Sequence, residues 1–229
     1  MMNSITIKID SENITPKYDI RNITELTEKV INGEHTIKIS YAFGYKPTRS
    51  SDESKVLIVG TIPSKLGYKE GFYYMSKRNN LYLFLDEALK SVGRNSNLCV
   101  LKEKYYDRKD IKIIESIENS LHDNGIVLFD TVKCCIRTSS YDSGILDPYD
   151  LNSIEDFNSI FENGKNIKKI LFTSDKAKEY FVNEIDKNKK YTDLIYQKEL
   201  STPSASATKL NKEKAIEEWK NAFKEVFND

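Results

Sequence analysis

Three segments of the chain concentrate the side chains that could bind a ligand or take part in a reaction. Each follows a predicted strand, and together they carry hydroxyls, aromatic rings, amides and carboxylates. The first segment contributes Gly60, Thr61, Ile62, Pro63, Ser64, Phe72, Tyr73, Tyr74, Arg78, Asn79 and Asn80. The second contributes Asp130 and Asp142, and the third contributes Ser201, Thr202, Pro203, Ser204 and Ser206.

These residue types suit the excision of a base from a nucleic acid. Reaching a glycosidic bond requires turning the nucleotide out of the duplex, and the pocket then needs an aromatic wall to stack the base. Phe72, Tyr73 and Tyr74 could supply that wall. Hydroxyls and free loop N–H groups are typical phosphate contacts, a role that fits Ser64 and the third segment. Cleavage itself needs a positioned water and hydrogen-bond donors to the leaving base, without a strong nucleophile.

The elements that must position these segments are predicted from apolar runs. Four short runs are nearly continuous in apolar residues, which is typical of strands buried on both faces of a parallel sheet. They are Lys55–Gly60, Gly125–Asp130, Lys169–Thr173 and Asp193–Gln197. Helical patterns lie between them, and Trp219 and Phe223 belong to the apolar stripe of the last helix.

The alternation of strands and helices predicts an α/β protein, a three-layer α/β/α sandwich around a central, mainly parallel four-stranded sheet. In such a sheet, ligands bind beyond the carboxyl ends of the strands, where the three polar segments begin. The first 54 residues differ in pattern. We predict a strand at Ile5–Ile9, a helix at Ile20–Ile31 and a strand at Thr36–Tyr41, which together form an N-terminal elaboration (1–54) on a domain spanning 55–229.

Charge and cysteine content restrict the function classes. Lys and Arg together number 35, as do Asp and Glu, so the formal net charge is zero and any nucleic-acid contact needs a locally basic face. This argues against a simple sequence-independent DNA coat. The three cysteines, two of them adjacent, indicate reduced thiols rather than a disulfide framework. With two histidines we expect no metal. Without a signal peptide or an apolar span, we expect a cytoplasmic monomer that touches no membrane.

The spacing of the polar segments resembles that of a known family. Gly60–Ser64, then Gly71–Tyr74, then Arg78–Tyr82 resemble the first motif region of the hypoxanthine (deoxyinosine) DNA glycosylases, which belong to the uracil-DNA glycosylase superfamily beside the mismatch-specific uracil glycosylases. The family pattern is roughly G-(S/T)-x-P-(S/G), then Y-Y, then R-N-x-F-W. Further matches follow in order: Gly125–Asp130 with Ser140–Ser143 resembles G-I-x-L-W-D … S-x-D-S, and Ser201–Ala207 resembles S-T-S-P-A-N-A. The likeness covers about residue 55 to the C-terminus.

The resemblance implies an activity and a role for each motif. It implies a monofunctional DNA glycosylase that needs no cofactor, flips a deaminated base such as hypoxanthine or uracil out of DNA, and hydrolyses its N-glycosidic bond to leave an abasic site. Asn79 matches the catalytic asparagine that helps to hold the attacking water. Gly60–Ser64 would form the water-activating and phosphate-facing loop, and Phe72–Tyr74 would stack on the base. Ser201–Ala207 would enter the DNA groove or contact the leaving base.

Three departures from the family pattern suggest a different substrate. Ile62 occupies the position where several superfamily members carry an acidic or amide water activator. Leu81 and Tyr82 replace the Phe-Trp pair, and Ser206 replaces an asparagine or histidine. Because serine is smaller, we hypothesise a base bulkier than uracil or hypoxanthine. Examples are glucosylated or otherwise hypermodified phage cytosines, which such enzymes attack in antiviral defence.

Simpler interpretations stay open at this stage. Asn79 or Asn80 could cap the following helix, and the three aromatic residues could be packing. Asp130 could accept backbone hydrogen bonds at a strand end, and Asp142 could cap a turn. Two other functions also remain: a non-catalytic module that binds a modified base, and a different α/β enzyme such as a nucleotide hydrolase. The sequence contains no Walker-type phosphate loop and no dinucleotide fingerprint to favour the latter.

Overall fold

The structure is a computed structural model that describes residues 25–26, 39–64, 67, 70–137, 139, 141–204 and 211–228. Its strands are β1 (Glu25–Leu26), β2 (Ile39–Phe43), β3 (Val56–Gly60), β4 (Ile126–Asp130), β5 (Val132–Arg137), β6 (Ile145–Leu151) and β7 (Lys169–Phe172). Its helices are α1 (Leu81–Ser91), α2 (Leu98–Arg108), α3 (Ile111–Asp123), α4 (Ile154–Asn163), α5 (Asp175–Tyr180) and α6 (Lys212–Phe227). The chain is therefore a mixed α/β protein, as its sequence predicts.

A parallel sheet with strand order β4-β3-β7 forms the centre of the fold. Every residue of β3 and β4 is buried, which is why their sequences are continuously apolar. The expected fourth parallel strand at Asp193–Gln197 is not formed as a strand. Thr192–Leu194 is a turn of 3₁₀ helix, so pairing with β7 begins only at Ile195, as an isolated parallel bridge to Ile170. The predicted four-stranded sheet is thus wrong for the described residues, which form three parallel strands and a bridge.

Helices cover both faces of the parallel sheet. Alternate side chains of β3 point into two separate apolar clusters, as the period of a strand requires. Val56 and Ile58 join the cluster that contains α1, α3 and α6, whereas Leu57 and Val59 join the cluster that contains α4 and the region of α5. Trp219 of α6 is fully buried against this first cluster. The described helices therefore pack in two apolar clusters, one on each face of the parallel sheet.

A second, antiparallel sheet has the strand order β1-β2-β5-β6 and was not predicted. The two sheets are connected at Thr131, which lies between β4 and β5. The N–H of Thr131 donates to the carbonyl oxygen of Gly60 at 2.9 Å, and the N–H of Val132 donates to the carbonyl oxygen of Thr61 at 2.9 Å. In this sheet β2 pairs with β5, so the chain before residue 55 adds a strand beside the core. The division into an elaboration (1–54) and a domain (55–229) stays a prediction.

The N-terminal predictions meet the structure only in part. Glu25 and Leu26 form β1, paired with β2, so the predicted helix at Ile20–Ile31 is wrong at these two residues. Pairing of their backbone groups to a neighbouring strand replaces the intrahelical bonds. The strand predicted at Thr36–Tyr41 is observed from Ile39 and continues to Phe43. The strand predicted at Ile5–Ile9 lies outside the described residues.

Two helices that flank the sheet begin at serine caps. At α4, Ser153 and Asp156 form a capping box: the Ser153 hydroxyl accepts from the Asp156 N–H at 3.2 Å, and the Asp156 carboxylate accepts from the Ser153 N–H at 2.8 Å. At α5, the Ser174 hydroxyl accepts from the Ala177 N–H at 3.1 Å. Among the described residues, none of the helices has the length and apolar content needed to cross a membrane.

Candidate functional site

A cavity of about 130 Å³ lies beyond the carboxyl ends of β3, β4 and β7, where ligands bind in open parallel sheets. The loops after these three strands form its floor and sides, and the segment before α6 closes one wall. Its lining residues are Thr61, Ile62, Pro63, Ser64, Gly67, Tyr73, Tyr74, Ser76, Asn79, Asp130, Asp142, Thr173, Ser174, Thr202, Pro203 and Ser204. The structure therefore brings parts of all three polar segments into one place.

Gly60 makes the floor of the cavity possible. A Cβ atom at this position would lie 2.4 Å from the Asp130 Oδ1 and 2.4 Å from the Tyr74 hydroxyl oxygen, closer than real Cβ contacts. The carboxyl and the phenol thus converge on the space that glycine leaves empty. Glycine is needed here for the close approach of two polar groups, and not for a special backbone angle.

Asp130 ends β4 with its side chain buried in the floor of the cavity. The residue is 3% exposed, and no hydrogen-bond partner for Oδ2 is present among the described residues. Burial and, to a lesser degree, the negative charge of Asp142 raise the pKa of Asp130 to about 8, while Arg137 acts in the opposite direction. Asp130 is therefore a neutral carboxylic acid at neutral pH. Its Oδ2 accepts no hydrogen bond from the described residues.

Asp142 lies at the side of the cavity and is held by two hydroxyls. Its Oδ2 accepts from Thr61 Oγ1 at 2.7 Å and from Ser174 Oγ at 3.0 Å, and the two hydroxyl oxygens are 2.8 Å apart. These residues come from the loop after β3, the turn after β5 and the N-terminus of α5. The network therefore fixes a carboxylate between three separate parts of the chain.

Tyr74 supplies an aromatic wall of the cavity. Its backbone φ is 53°, a left-handed value that costs energy for a residue with a Cβ and that directs the ring toward β7. The hydroxyl lies 3.0 Å from Thr173 Oγ1. Burial, followed by the charge of Asp130, raises the pKa of Tyr74 well above its usual range, so the phenol is neutral and able to donate a hydrogen bond.

The other two predicted wall residues differ in position. Tyr73 lines the cavity but is 2% exposed, and its hydroxyl donates to the carbonyl oxygens of Tyr45 at 3.2 Å and Lys46 at 2.9 Å. Phe72 is buried in the core with its ring edge-to-face against Tyr73, and it does not line the cavity. Tyr74 is thus the aromatic residue with its functional group directed to the site, and Phe72 has the packing role.

Asn79 lies one residue before the N-cap of α1, which is Asn80, and it lines the cavity. Its Oδ1 accepts from the N–H of Leu81, the first residue of α1, at 2.9 Å, so it supports the start of the helix without being the N-cap. Its backbone is fixed as well, because the carbonyl oxygen accepts from Lys102 Nζ at 2.8 Å and the N–H donates to Ser76 at 2.9 Å. A carbonyl oxygen has two lone pairs, so Oδ1 keeps one for a ligand, and the structure describes no partner for the amide NH₂. The bond to Leu81 is therefore compatible with a function in the cavity.

The remaining predicted residues divide between the cavity and its surroundings. Ile62, Pro63, Ser64, Thr202, Pro203 and Ser204 line the cavity. Arg78 is exposed and, like Asn80 and Ser201, is not part of the lining. The backbone of Ser201 makes two hydrogen bonds to α6. Its N–H donates to Glu218 Oε2 at 2.8 Å, and its carbonyl oxygen accepts from Trp219 Nε1 at 3.0 Å. Ser206 lies outside the described residues.

Ile62 places an apolar side chain in the cavity at the position where the family resemblance predicts a water-activating acid or amide. It lines the cavity and packs against a small cluster that contains Ala42, Val132 and Tyr180. No acid or amide is present at this position of the loop, so any water in the cavity must be oriented by other groups. The described lining supplies other polar groups for this purpose, among them Asn79, Asp142 and the hydroxyls of Thr61 and Ser174.

Two further residues line the cavity after β7, Thr173 and Ser174, and they were not predicted from the sequence. Ser174 bonds Asp142, and Thr173 bonds Tyr74, so both connect to residues that were predicted. The signal was present, because both follow an apolar run that was predicted as a parallel strand. Polar residues directly after such a strand lie at the same edge of the sheet as Thr61 and Asp130. Ser76 and Gly67 were also missed, and no motif marks them.

The sequence matches no protein-family model and none of the curated proteins. A search of the solved structures finds the solution NMR structure of a "putative Uracil DNA glycosylase" from Methanosarcina acetivorans. The match has a TM-score of 0.58 and 22% sequence identity, and it covers 81% of this chain and 98% of that chain. The chain therefore shares the fold of that protein over most of its length.

Proposed function

We propose that this protein is a monofunctional DNA glycosylase that hydrolyses the N-glycosidic bond of a flipped, non-standard base. The observation that carries the proposal is the position of Asn79, whose amide lies in the same cavity as Tyr74 and the two carboxyl groups at the ends of the parallel strands. The shared fold supports the same reaction class, and so do the motifs that the sequence has in common with the hypoxanthine DNA glycosylases. DNA is then the partner, and its flipped nucleotide is the substrate.

The chemistry follows from the groups in the cavity. The flipped base stacks on Tyr74, and the phosphates beside it meet the hydroxyls of Ser64, Thr202 and Ser204 at the rim. Asn79 Oδ1 accepts from a water through its second lone pair and directs that water toward the sugar. As the bond breaks, positive charge develops on the sugar, and the carboxylate of Asp142 lies in the cavity to stabilise it.

A hydrolytic rather than a lyase mechanism is supported by the lining. A lyase needs an amine that attacks the sugar and forms a Schiff base. No lysine is present among the described residues that line the cavity. Water is therefore the nucleophile in this proposal, and the product is an intact abasic site.

Two substrate classes are to be compared. The motif resemblance favours a deaminated base, hypoxanthine or uracil, and a role in DNA repair. The departures at Ile62 and Ser206 favour a larger, hypermodified cytosine and a role in antiviral defence. We propose the deaminated base first, because the motif resemblance extends over several segments in order, whereas the larger substrate is supported by single substitutions.

The test is an abasic-site assay on oligonucleotides that carry uracil, hypoxanthine or a glucosylated hydroxymethylcytosine, as single strands and as duplexes. Abasic sites are revealed by cleavage with alkali. The variants are Asn79→Ala and Asn79→Ser, with Asn97→Ala as the matched control. A serine at position 79 can still accept from the Leu81 N–H but is too short to hold the water. Asn97 precedes α2, makes no side-chain capping bond and does not line the cavity.

We expect wild type and Asn97→Ala to release one of the bases, and both Asn79 variants to lose the activity by about 100-fold or more. Full activity of Asn79→Ser would show that Asn79 serves only to support the start of α1 through Leu81. Retained binding of a modified base without cleavage by wild type would favour the non-catalytic module, for which the apolar Ile62 is the supporting observation. Neither binding nor cleavage would favour a different α/β enzyme.

A further inference from the structure

A buried carboxyl group without a described partner lies in the floor of the cavity. Asp130 Oδ2 makes no hydrogen bond among the described residues, although Asp130 is 3% exposed and lines the cavity. Native proteins pair nearly all of their buried polar atoms, and exceptions occur at sites where a ligand supplies the partner. An open position at the end of a fully buried strand therefore indicates a group kept for a ligand.

The backbone around Asp130 fixes the direction of this carboxyl. Its carbonyl oxygen accepts from Asn152 Nδ2 at 2.7 Å, and the residue is paired with Gly60 in the parallel sheet. Asn152 itself is fixed through its N–H, which donates to the carbonyl oxygen of Thr131 at 2.8 Å. A side chain carried by a rigid strand is pre-organised toward its ligand, which is what catalysis by fixed donors requires.

Burial is the main reason that the pKa of Asp130 is raised and that the carboxyl keeps its proton. Asp142 adds to this with a negative charge from the turn after β5, and Arg137 of β5 partly offsets it with a positive charge. The phenols of Tyr73 and Tyr74, in the loop after β3, are kept neutral by burial. Because Oδ2 makes no hydrogen bond among the described residues, a proton on this atom can be donated to a ligand in the cavity.

We propose that Asp130 is the general acid of the reaction, donating its Oδ2 proton to a ring carbonyl oxygen of the leaving base. This inference rests on the proposed glycosylase function and deepens it. A carboxylic acid held neutral in an apolar site can donate to an oxygen on which negative charge develops. The substrate class is therefore a base with a ring carbonyl, such as uracil or hypoxanthine, on which the leaving-group charge collects. Adenine has no such oxygen.

The step balances as follows. The bond between the sugar C1′ and the base nitrogen breaks, and both electrons go to the base. The base takes the proton of Asp130, and the oxygen of water forms the new bond to C1′. The water releases a proton to solvent, and Asp130 regains one from solvent after the base has left.

The test measures the single-turnover rate of base release against pH for wild type, Asp130→Asn and Asp130→Ala, on the base that wild type excises. The wild-type rate should fall above about pH 8, because the acid form of Asp130 is lost there. Asp130→Asn keeps a donor but has no proton to transfer, so it should be slower and lack this fall. Asp130→Ala should lose about 10²- to 10⁴-fold, the usual contribution of general acid–base catalysis.

A second measurement separates catalysis from folding. 5-Fluorouracil leaves more readily than uracil because fluorine stabilises the base anion, so it depends less on an acid. If uracil is excised, the rate lost on Asp130→Ala should be smaller for 5-fluorouracil. A purely structural role would slow both bases equally.

Each outcome has one meaning. Wild-type pH dependence in Asp130→Asn, or full activity of Asp130→Ala, would overturn the general-acid role while leaving the glycosylase function intact, since the Asn79 variants test that independently. An absence of base release by wild type from every substrate would overturn both. If the rate of base release by wild type falls above pH 8, and only the Asp130 variants lack this fall, the result would support the general-acid role.

Discussion

The backbone N–H of Asn80 donates a hydrogen bond to the carbonyl oxygen of Pro203 at 2.9 Å. This bond joins the segment before α1 to the segment before α6, so Asn79 and the wall made by Thr202 to Ser204 are fixed relative to each other. The wall has a second anchor, because Trp219 Nε1 donates to the carbonyl oxygen of Ser201 at 3.0 Å. A buried tryptophan on a distant helix therefore helps to shape the cavity.

Trp219→Phe tests this anchor. Phenylalanine keeps most of the packing but removes the donor to Ser201, and leaving a polar group unpaired costs about 1–3 kcal/mol. We expect lower stability in urea and faster proteolytic cleavage near residues 201–204 under native conditions. Phe223→Leu is the control, because it removes packing from the same helix without touching this hydrogen bond. Equal native-state cleavage in the two variants would contradict the anchoring role.

Gly60→Ala tests the floor of the cavity. The new Cβ would collide with Asp130 Oδ1 and the Tyr74 hydroxyl, so we expect a loss of about 1–3 kcal/mol of stability together with a large loss of base release. Gly93→Ala is the matched control. Gly93 has a φ of 74° and open space around it, so alanine there costs about 1 kcal/mol through backbone strain while activity is kept. Unchanged activity in Gly60→Ala would disprove the importance of this close approach.

Ser174→Ala separates a cap from a functional contact. Ser174 caps α5 and also donates to Asp142, whereas Ser153 caps α4 and does not line the cavity. Removing either cap should cost about 1 kcal/mol of stability. We expect only Ser174→Ala to slow base release, measured at saturating enzyme, since only it weakens the network around Asp142. A similar slowing in Ser153→Ala would assign the effect to stability.

Asp130→Asn should change how stability depends on pH. The pKa of Asp130 is raised from its ordinary 3.8 to about 8 in the folded chain. Between these values the unfolded chain releases the proton and the folded chain keeps it, so stability falls as pH rises, by about 1.4 kcal/mol per pH unit, and levels off above the folded value. Asparagine does not titrate. The stability of the variant relative to wild type should therefore increase from pH 5 to pH 8 and then stay constant.

Urea unfolding at pH 5, 6, 7, 8 and 9 checks this expectation. Parallel stability curves for wild type and variant would mean that Asp130 titrates alike in the folded and unfolded chains. The measurement needs no DNA, so it tests the buried acid independently of any activity.

The sequence predicts the buried parallel strands well because burial on both faces leaves a continuous apolar run, as in β3 and β4. It does not predict β5 and β6. Lys133, Arg137 and Asp150 interrupt their apolar residues, and Pro148 lies within β6. β5 pairs with the distant β2, and β6 pairs with β5, so both strands are defined by pairing that a local pattern does not report. The same reason explains Asp193–Gln197, whose apolar residues pack beside β7 while the chain turns in a 3₁₀ helix.

The sequence predicts where the candidate site lies, but it predicts few of the interactions between the residues of the site. Parallel strands that end at one edge bring Thr61, Asp130 and Asn79 together, and the motif order indicates the same residues. The pKa of Asp130 is raised by burial and by the charge of Asp142. Asp142 is twelve residues away in sequence, and the turn after β5 brings it near. Asn79 Oδ1 bonds the Leu81 N–H and still faces the cavity, and this orientation of the side chain cannot be inferred from the residue type alone.

The direct connection of β4 to β5 at Thr131 should limit the local motion of the backbone beneath the cavity. The N–H groups of Thr131 and Val132 bond to the loop that begins the cavity, and they belong to the point where two sheets share one continuous backbone. Opening either bond requires both sheets to separate, so these amides should exchange with deuterium about as slowly as the slowest core amides. The floor beneath a bound base would then open only with global unfolding, and the dynamics needed to admit a nucleotide would belong to the loops above it.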